Sequence, residues 1–173
     1  MSARPPLHLA ENTPGGDCAA GAKGVRGHLP ERAPLPAFAH LPGHTPRHPE
    51  GTFEALRATA RPGMTEAEIA ASPAMRAGLA FLHAGFHWEA HEVLEPVWMA
   101  LPEGPARQMA QALIQLANAR LKDRMDRPRA AARLRAMAAS HLARARQGRA
   151  GPVLGLDPAE VATWILGGTE NVI

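Results

Sequence analysis

The fold is decided by the stretch from residue 85 to residue 124, GFHWEAHEVLEPVWMALPEGPARQMAQALIQLANARLKDR. Each half is long enough for a helix and lacks the strict alternation of apolar and polar residues that is typical of a strand. Between the halves stand the residues LPEGP, whose glycine and prolines end one helix and begin the next. The pattern predicts helices over 88–100 and 105–124, and the short connection predicts that they pack antiparallel.

Helix signals continue on both sides of this stretch. Ser72-Pro73 predicts a helix that runs to about residue 84, and Asp157-Pro158 predicts a last helix to about residue 166. The chain is 46% hydrophobic but has only four Phe, three Trp and no Tyr, so its core rests on Ala, Leu, Met and Val. We therefore expect an all-α fold, a compact antiparallel helical bundle of four to six helices, rather than a β-sandwich.

The N-terminal part differs in composition, because residues 1–50 contain nine of the 17 prolines. Residues 1–30 show no periodicity and are predicted to form a flexible tail. In residues 31–52 the apolar Leu35, Phe38 and Leu41 alternate with prolines, which favour extended backbone before them. We predict an extended proline-rich N-terminal arm over 31–52 that lies across a helical bundle domain of residues 53–173.

Several classes of protein are excluded by simple counts. Cys18 is the single cysteine, so an internal disulfide framework and a thiolate zinc site are both excluded. No stretch reaches the ~20 apolar residues of a membrane span, and no apolar signal segment follows the first Met. We expect a soluble cytoplasmic protein with no membrane partner.

The helix predicted over 88–100 carries an unusual mixture of polar and aromatic side chains. At 100° per residue, one face holds His87, His91, Leu94, Glu95 and Trp98, with Trp88 beside it. Glu92 lies at the edge of this face, and Glu89 points to water. The geometry predicts that Glu95→Ala is the most damaging of the three glutamate substitutions, Glu92→Ala intermediate and Glu89→Ala nearly neutral.

The following helix carries a stripe of polar side chains, namely Gln108, Gln111, Gln115, Asn118 and Lys122. Facing solvent, such a stripe is ordinary. Facing His91 and Glu95, it would complete a buried polar network between the two helices, which costs stability unless every member is satisfied. Spacing alone leaves both arrangements open.

Two groups of residues resemble one bacterial family, domain of unknown function 309. They are the run LHAGFHWEAHEVLEPVW at 82–98, and Arg107 with QALIQLA at 111–117; the arm sequence LPGHTPRHPEG at 41–51 also looks like that family's N-terminal motif. The resemblance covers about residues 34–142 and implies a small all-helical fold without an established activity. The family's characteristic positions correspond here to Gly85, Glu89, Ala90, His91, Glu92, Glu95, Trp98, Arg107, Gln111 and Gln115.

The chain departs from the family pattern at three positions. The family usually has an aromatic residue at the position of His87 and often Asn at that of His83. Pro96 stands where a helix former is expected. Its ring removes the hydrogen bond to the carbonyl of Glu92, which predicts a kink beside the candidate site.

Two of the three hypotheses for the cluster do not involve a metal. In the first, His91 and Glu95 pair with Arg107, Gln111 and Gln115 in a buried polar pocket that fixes the fold or binds a small molecule. Trp88 and Trp98 are then its walls, and His48 is the arm residue delivered to it. In the second, Glu92 or Glu95 shares a proton with His91 in acid–base catalysis on a small substrate. Whether the protein is an enzyme stays open.

The third hypothesis is a divalent-metal site. His91 and Glu95, with His87 or His48, would bind a cation such as zinc, as a metal-binding protein or a metal-dependent hydrolase. The sequence His-Glu-x-x-Glu lacks the second His of the helix-borne zinc pattern, and a catalytic zinc needs three protein ligands. The cofactor is therefore unassigned.

A different class of function is suggested by the segment 120–149, which holds nine Arg and one Lys against two Asp. Basic helices neutralise nucleic-acid phosphates. The segment has no aromatic residue for base stacking, and its Arg residues are not expected to form a single stripe. A solvated basic helix is the expectation, with nucleic-acid binding as the alternative.

Overall fold

The computed structural model describes residues 34–167, and over this range the chain is helical without a β-strand. Its helices are α1 (Glu54–Arg57), α2 (Glu66–Ala70), α3 (Pro73–His83), α4 (His87–Ala100), α5 (Pro105–Arg124), α6 (Pro128–Arg146) and α7 (Pro158–Leu166). The predicted all-α class is confirmed. Seven helices stand against the predicted four to six because α1 and α2 have only four and five residues. The predicted tail over 1–30 lies outside the described residues.

Local capping explains where three of these helices begin. Thr65 and Glu68 form a reciprocal capping box at the start of α2. Ser72 accepts a hydrogen bond from the Met75 N–H at the start of α3, which has proline in its first turn. The Asp157 carboxylate accepts from the Ala159 N–H and begins α7. These signals are local, so the sequence alone places them.

The long helices pack in chain order. α4 contacts both α3 and α5, α5 contacts α6, and α6 contacts α7. Only residues 101–104 connect α4 to α5, so the two helices run in opposite directions as they pack. α3 and α4 approach closely at Gly78, where a Cβ atom would lie 2.5 Å from Leu94 Cδ2. None of the helices described here is long and apolar enough to cross a membrane.

The face of α4 that enters the core differs from the predicted one. The buried apolar residues of α4 are Ala90, Val93, Leu94, Val97 and Ala100. Their centre lies about 120° around the helix from the centre of the His91–Glu95–Trp98 face. The prediction was wrong because it gave the large aromatic residues the inward position. The smaller Ala and Val residues recur at helical spacing and pack more closely against α3 and α5.

Residues 34–52 contain turns but no helix or strand. His40 is buried within this segment, and Phe38 and His48 are half-buried. Backbone N–H groups of His44 and Thr45 donate to the carbonyl of Leu41, which folds 41–45 into a tight turn. The segment thereby places His40 and His48 against α4, where the candidate site lies.

Candidate functional site

Glu89 is the most buried charged residue of the described chain. Its side chain has no exposed surface, which corrects the expectation that it points to water. Glu89 Oε1 accepts a hydrogen bond from the His40 backbone N–H at 2.5 Å and another from His48 Nε2 at 2.7 Å. Both donors come from the segment 34–52. We call Glu89, His40 and His48 the Glu89 clasp.

The imidazole of His48 is held in the clasp by aromatic rings. It stacks on Phe38 with ring centroids 4.5 Å apart, and it meets the edge of Phe53 at 5.1 Å. Trp88 lies parallel to it at 6.0 Å. Since a carboxylate only accepts hydrogen bonds, the bond to Glu89 places a ring proton on His48 Nε2. Packing and hydrogen bonding therefore fix the same orientation of His48.

The backbone at His40 is fixed by its own side chain. His40 Nδ1 donates to the carbonyl of Pro46 at 2.9 Å, and its ring meets the edge of Trp88 at 4.9 Å. These contacts close the loop between residues 40 and 46. The loop presents the His40 N–H to the Glu89 carboxylate, and a hydrogen bond to an ionised acceptor is stronger than one between neutral groups.

The second carboxylate oxygen of Glu89 is in a different situation. Oε2 is buried and has no hydrogen-bond partner within residues 34–167. A buried carboxylate oxygen without a donor is costly, roughly 1–3 kcal/mol or more. The atom is thus a strong acceptor that the described part of the chain leaves unused.

The predicted catalytic carboxylates Glu92 and Glu95 lie on the outer side of α4. Arg57 NH1 lies 3.2 Å from Glu92 Oε2, and Arg57 NH2 lies 3.7 Å from Glu95 Oε2. The Glu95 side chain is 41% exposed, so its pairing is screened by water. Neither carboxylate is hydrogen-bonded to His91, in contrast to the predicted proton-sharing pair.

Pro96 has the predicted local effect, and Arg57 compensates for it. Proline cannot donate to the Glu92 carbonyl one turn earlier. Arg57 NH1 donates to that carbonyl at 2.8 Å, while α4 continues through Pro96 to Ala100. No local pattern pointed to Arg57, because it is 35 residues from its partner Glu92.

Arg107 caps the C-terminal end of α4 and does not reach His91. Its NH1 donates to the carbonyls of Trp98 and Leu101 at 3.1 and 2.6 Å. The guanidinium lies over the Trp98 ring, 4.4 Å from its centroid. Trp98 is thus covered by Arg107, whereas Trp88 packs against His40 and His48 of the clasp, so the two predicted pocket walls lie in separate places.

The amide stripe of α5 does not complete the predicted network. Gln108 Oε1 lies 2.8 Å from His141 Nδ1 and accepts from Arg144 Nε at 3.0 Å, so it faces α6. Gln111 and Gln115 are half-buried and make no side-chain hydrogen bond to His91 or Glu95 within residues 34–167. His91 Nδ1 is buried without a partner in this range.

His87 is buried at the edge of α4 opposite to Glu89, and its Nδ1 has no partner in the part of the chain described here. Burial, followed by the positive charges of Arg120 and Arg124, lowers its pKa from 6.5 to about 4. These arginines donate to the carbonyls of Leu82 and Gly85 at the end of α3. His87 is consequently neutral at pH 7.

The proposed cation ligands His91, Glu95 and His87 do not come together. Glu95 pairs with Arg57, and His87 lies near two arginines. No group of three His, Cys, Asp or Glu side chains suited to a metal ion occurs within residues 34–167. His48 does reach α4, as expected, but it binds Glu89 instead of His91.

Sequence reasoning missed Glu89 and His40. A signal for Glu89 was present, since it is a characteristic position of the family that the sequence resembles, and helical geometry did not explain that. Two surface depressions lie away from the clasp, one beside Arg146 and Asp157 and the other beside Glu66 and Ala70, whereas Glu89 has no exposed surface. The clasp is therefore a packed interior feature and not an open cleft.

Comparison with known proteins gives one match. Residues 75–134 match the model of a family described as "Domain of unknown function (DUF309)". The match includes α4 and α5 but not the proline-rich segment at 41–51. No curated protein and no solved structure matches the chain.

Proposed function

We propose that the His/Glu cluster of this chain is a structural device. Residues 75–134 match the model of the DUF309 family, whose description names no activity. The Glu89 clasp fastens the segment 38–48 to α4. The observation that carries this proposal is the fully buried Glu89 Oε1, whose two donors both come from that segment.

The burial of Glu89, which a substrate cannot reach, favours this structural role over acid–base catalysis. A catalytic carboxylate must come within hydrogen-bond reach of its substrate. Glu89 has no exposed surface, and the aromatic rings of Phe38, Phe53 and Trp88 surround its partner His48. Glu92 and Glu95 are accessible, but they are paired with Arg57 and not with an imidazole.

Three of the chain's few aromatic residues, Phe38, Phe53 and Trp88, surround His48. They shield the Glu89–His48 hydrogen bond from water, and a hydrogen bond in a low-dielectric site is stronger than one in water. The proline residues of the segment reduce the conformational freedom that is lost when it docks. The hydrogen bonds of the clasp and the aromatic rings around His48 thus hold the same segment.

Hydrogen–deuterium exchange of the full chain tests the proposal. In Glu89→Ala, the amides of His40 and Leu41 should exchange at least about tenfold faster, which corresponds to about 1.4 kcal/mol of opening free energy. Glu95→Ala is the matched control on the same helix and should leave them unchanged. Equal exchange at 38–48 in both variants, with the helices still protected, would contradict the clasp.

A conservative variant separates the hydrogen bond from the packing. His48→Phe keeps a ring that can stack on Phe38 but removes the donor to Glu89. We expect faster exchange at His40 in this variant, with α4 and α5 unaffected. If the segment in His48→Phe is as well protected from exchange as in the original chain, ring stacking alone holds the segment on α4.

A second candidate function is the binding of a small hydrogen-bond donor, and the unpartnered Glu89 Oε2 is the observation that favours it. An ammonium, amine or hydroxyl group beside Oε2 would supply the missing donor. Native mass spectrometry of the purified chain tests this by detecting a retained molecule or metal. A retained mass that is lost in Glu89→Gln supports the candidate, and a bare polypeptide mass opposes it.

A further inference from the structure

The exposed face of α6 presents arginines in a line. With the helix bounds that the structure gives, Arg129, Arg133 and Arg144 fall within an arc of about 60°. All three are exposed, and the buried residues Ala131, Ala138, Leu142 and Ala145 lie on the opposite side. Arg135 and Arg146 lie on the other side of α6, so three of its five arginines share this face. We call these three residues the arginine stripe.

The charge of this surface is not balanced by neighbouring acids. Residues 127–156 contain seven Arg and no Asp or Glu. Two of the seven are used within the fold, since Arg135 pairs with Asp123 and Arg149 pairs with Glu66. The stripe arginines form no ion pair with any residue of 34–167; the only one with a side-chain partner is Arg144, which contacts Gln108 and His141.

The residues beside the arginine stripe are small, which allows a partner to approach the helix closely. The exposed positions around it are Ala132, Ala136, Ala139, Ser140 and Ala143, and Met137 is its one larger apolar neighbour. A protein partner normally covers aromatic or large apolar residues at the centre of its interface. The three arginines span about 22 Å, from 15 residue steps at 1.5 Å each, which fits an extended partner with negative charge along its length.

We propose that the arginine stripe of α6 is a binding surface for the phosphate backbone of double-stranded nucleic acid. Guanidinium groups can hold phosphate through two parallel hydrogen bonds. The stripe has no aromatic residue on which unpaired bases would stack, which argues for a duplex over a single strand. Contacts to phosphate carry no sequence information, so we expect the binding to be independent of base sequence.

Fluorescence anisotropy with a labelled mixed-sequence duplex tests the proposal on the full chain. If three arginines each neutralise one phosphate, affinity falls about 40-fold between about 50 and 200 mM salt. Removing two phosphate contacts with Arg129→Gln/Arg133→Gln should reduce this to about fourfold and should weaken binding at the lower salt concentration.

A matched double variant controls for net charge. Arg61 and Arg76 are also exposed and lie outside α6, and Arg76 contacts only the backbone carbonyl of Ala71. Arg61→Gln/Arg76→Gln therefore removes the same charge, and we expect it to keep the affinity and salt dependence of the original chain. Equal losses in the two double variants would overturn the proposal, because binding would then follow net charge alone.

Two further outcomes would also overturn it. The first is the absence of duplex binding by the original chain at about 50 mM salt, where phosphate contacts are strongest. The second is binding of polyglutamate that exceeds duplex binding at equal charge concentration and is lost in Arg129→Gln/Arg133→Gln. That result would assign the stripe to an acidic protein.

Discussion

Glu89 and His87 are two residues apart on α4, both are buried, and their surroundings are opposite. Glu89 Oε1 accepts hydrogen bonds from His40 and His48. His87 Nδ1 has no partner within residues 34–167, and the guanidinium groups of Arg120 and Arg124 lie near its ring. One edge of the helix therefore receives donors from a distant segment, while the other receives positive charge.

The contrast teaches that the role of a buried polar residue depends on what the rest of the fold delivers to it. A carboxylate that accepts strong hydrogen bonds stabilises the structure, and its removal leaves buried donors unsatisfied. An imidazole that is buried beside arginines is tolerated only in its neutral form. The following predictions test the two edges and then the outer face of α4, from the largest expected effect to the smallest.

The largest effect is expected for Glu89→Ala. The substitution leaves the His40 N–H and the His48 ring buried without their acceptor, so unfolding free energy should fall by about 3–5 kcal/mol. Urea unfolding of the full chain measures this loss. A change below about 1 kcal/mol, the range of surface pairs, would mean that the clasp does not stabilise the fold.

The next effect concerns pH and His87. Its pKa is lowered from 6.5 to about 4 in the folded chain, so the unfolded chain binds the proton first as pH falls. The stabilising contribution is complete above pH 6.5 and is lost between pH 6.5 and about 4, by on the order of 3 kcal/mol. His87→Phe keeps a ring at this buried position but removes the titrating group, so it should flatten stability across this window.

Urea unfolding at several pH values between 4 and 7 measures that slope. His44→Phe serves as the control because His44 is exposed, and it should keep the original pH dependence. A parallel slope in His87→Phe and the original chain would show that other groups cause the acid sensitivity. His87 would then not contribute to the loss of stability at acid pH.

The smallest effect is expected for Glu95→Ala. The Glu95 side chain is 41% exposed, and Arg57 keeps its bonds to the Glu92 carbonyl and carboxylate when Glu95 is removed. Unfolding free energy should change by no more than about 0.5 kcal/mol. The expected order thus reverses the one that the helical wheel predicted, and a larger loss in Glu95→Ala than in Glu89→Ala would restore it.

Much of the fold could be predicted because its signals are local. Capping residues such as Thr65 and Ser72 begin their helices through bonds to residues three positions away. The short connection at 101–104 favours an antiparallel arrangement of α4 and α5. The match to the DUF309 family model was also predictable, since the motif at 82–98 lies inside the matched range 75–134.

The site could be predicted only in part. His91, Glu92 and Glu95 attracted attention through their spacing, yet spacing along one helix does not say which face meets the core. The inward face of α4 was misjudged by about 120°, and Glu89 was consequently assigned to water. Pro96 was recognised as a break in the hydrogen-bond pattern, but the residue that repairs it, Arg57, was not.

The sequence by itself determined the helices, their order and the chemical character of their residues, because these depend on neighbours within one or two turns. Only the tertiary structure decided that His40 and His48 meet Glu89, 49 and 41 residues further along the chain. It also decided that His87 lies beside arginines and that three arginines of α6 share an exposed face. The physical reason is that the burial of a polar group and the identity of its hydrogen-bond partners depend on contacts between distant segments. Local periodicity does not encode those contacts.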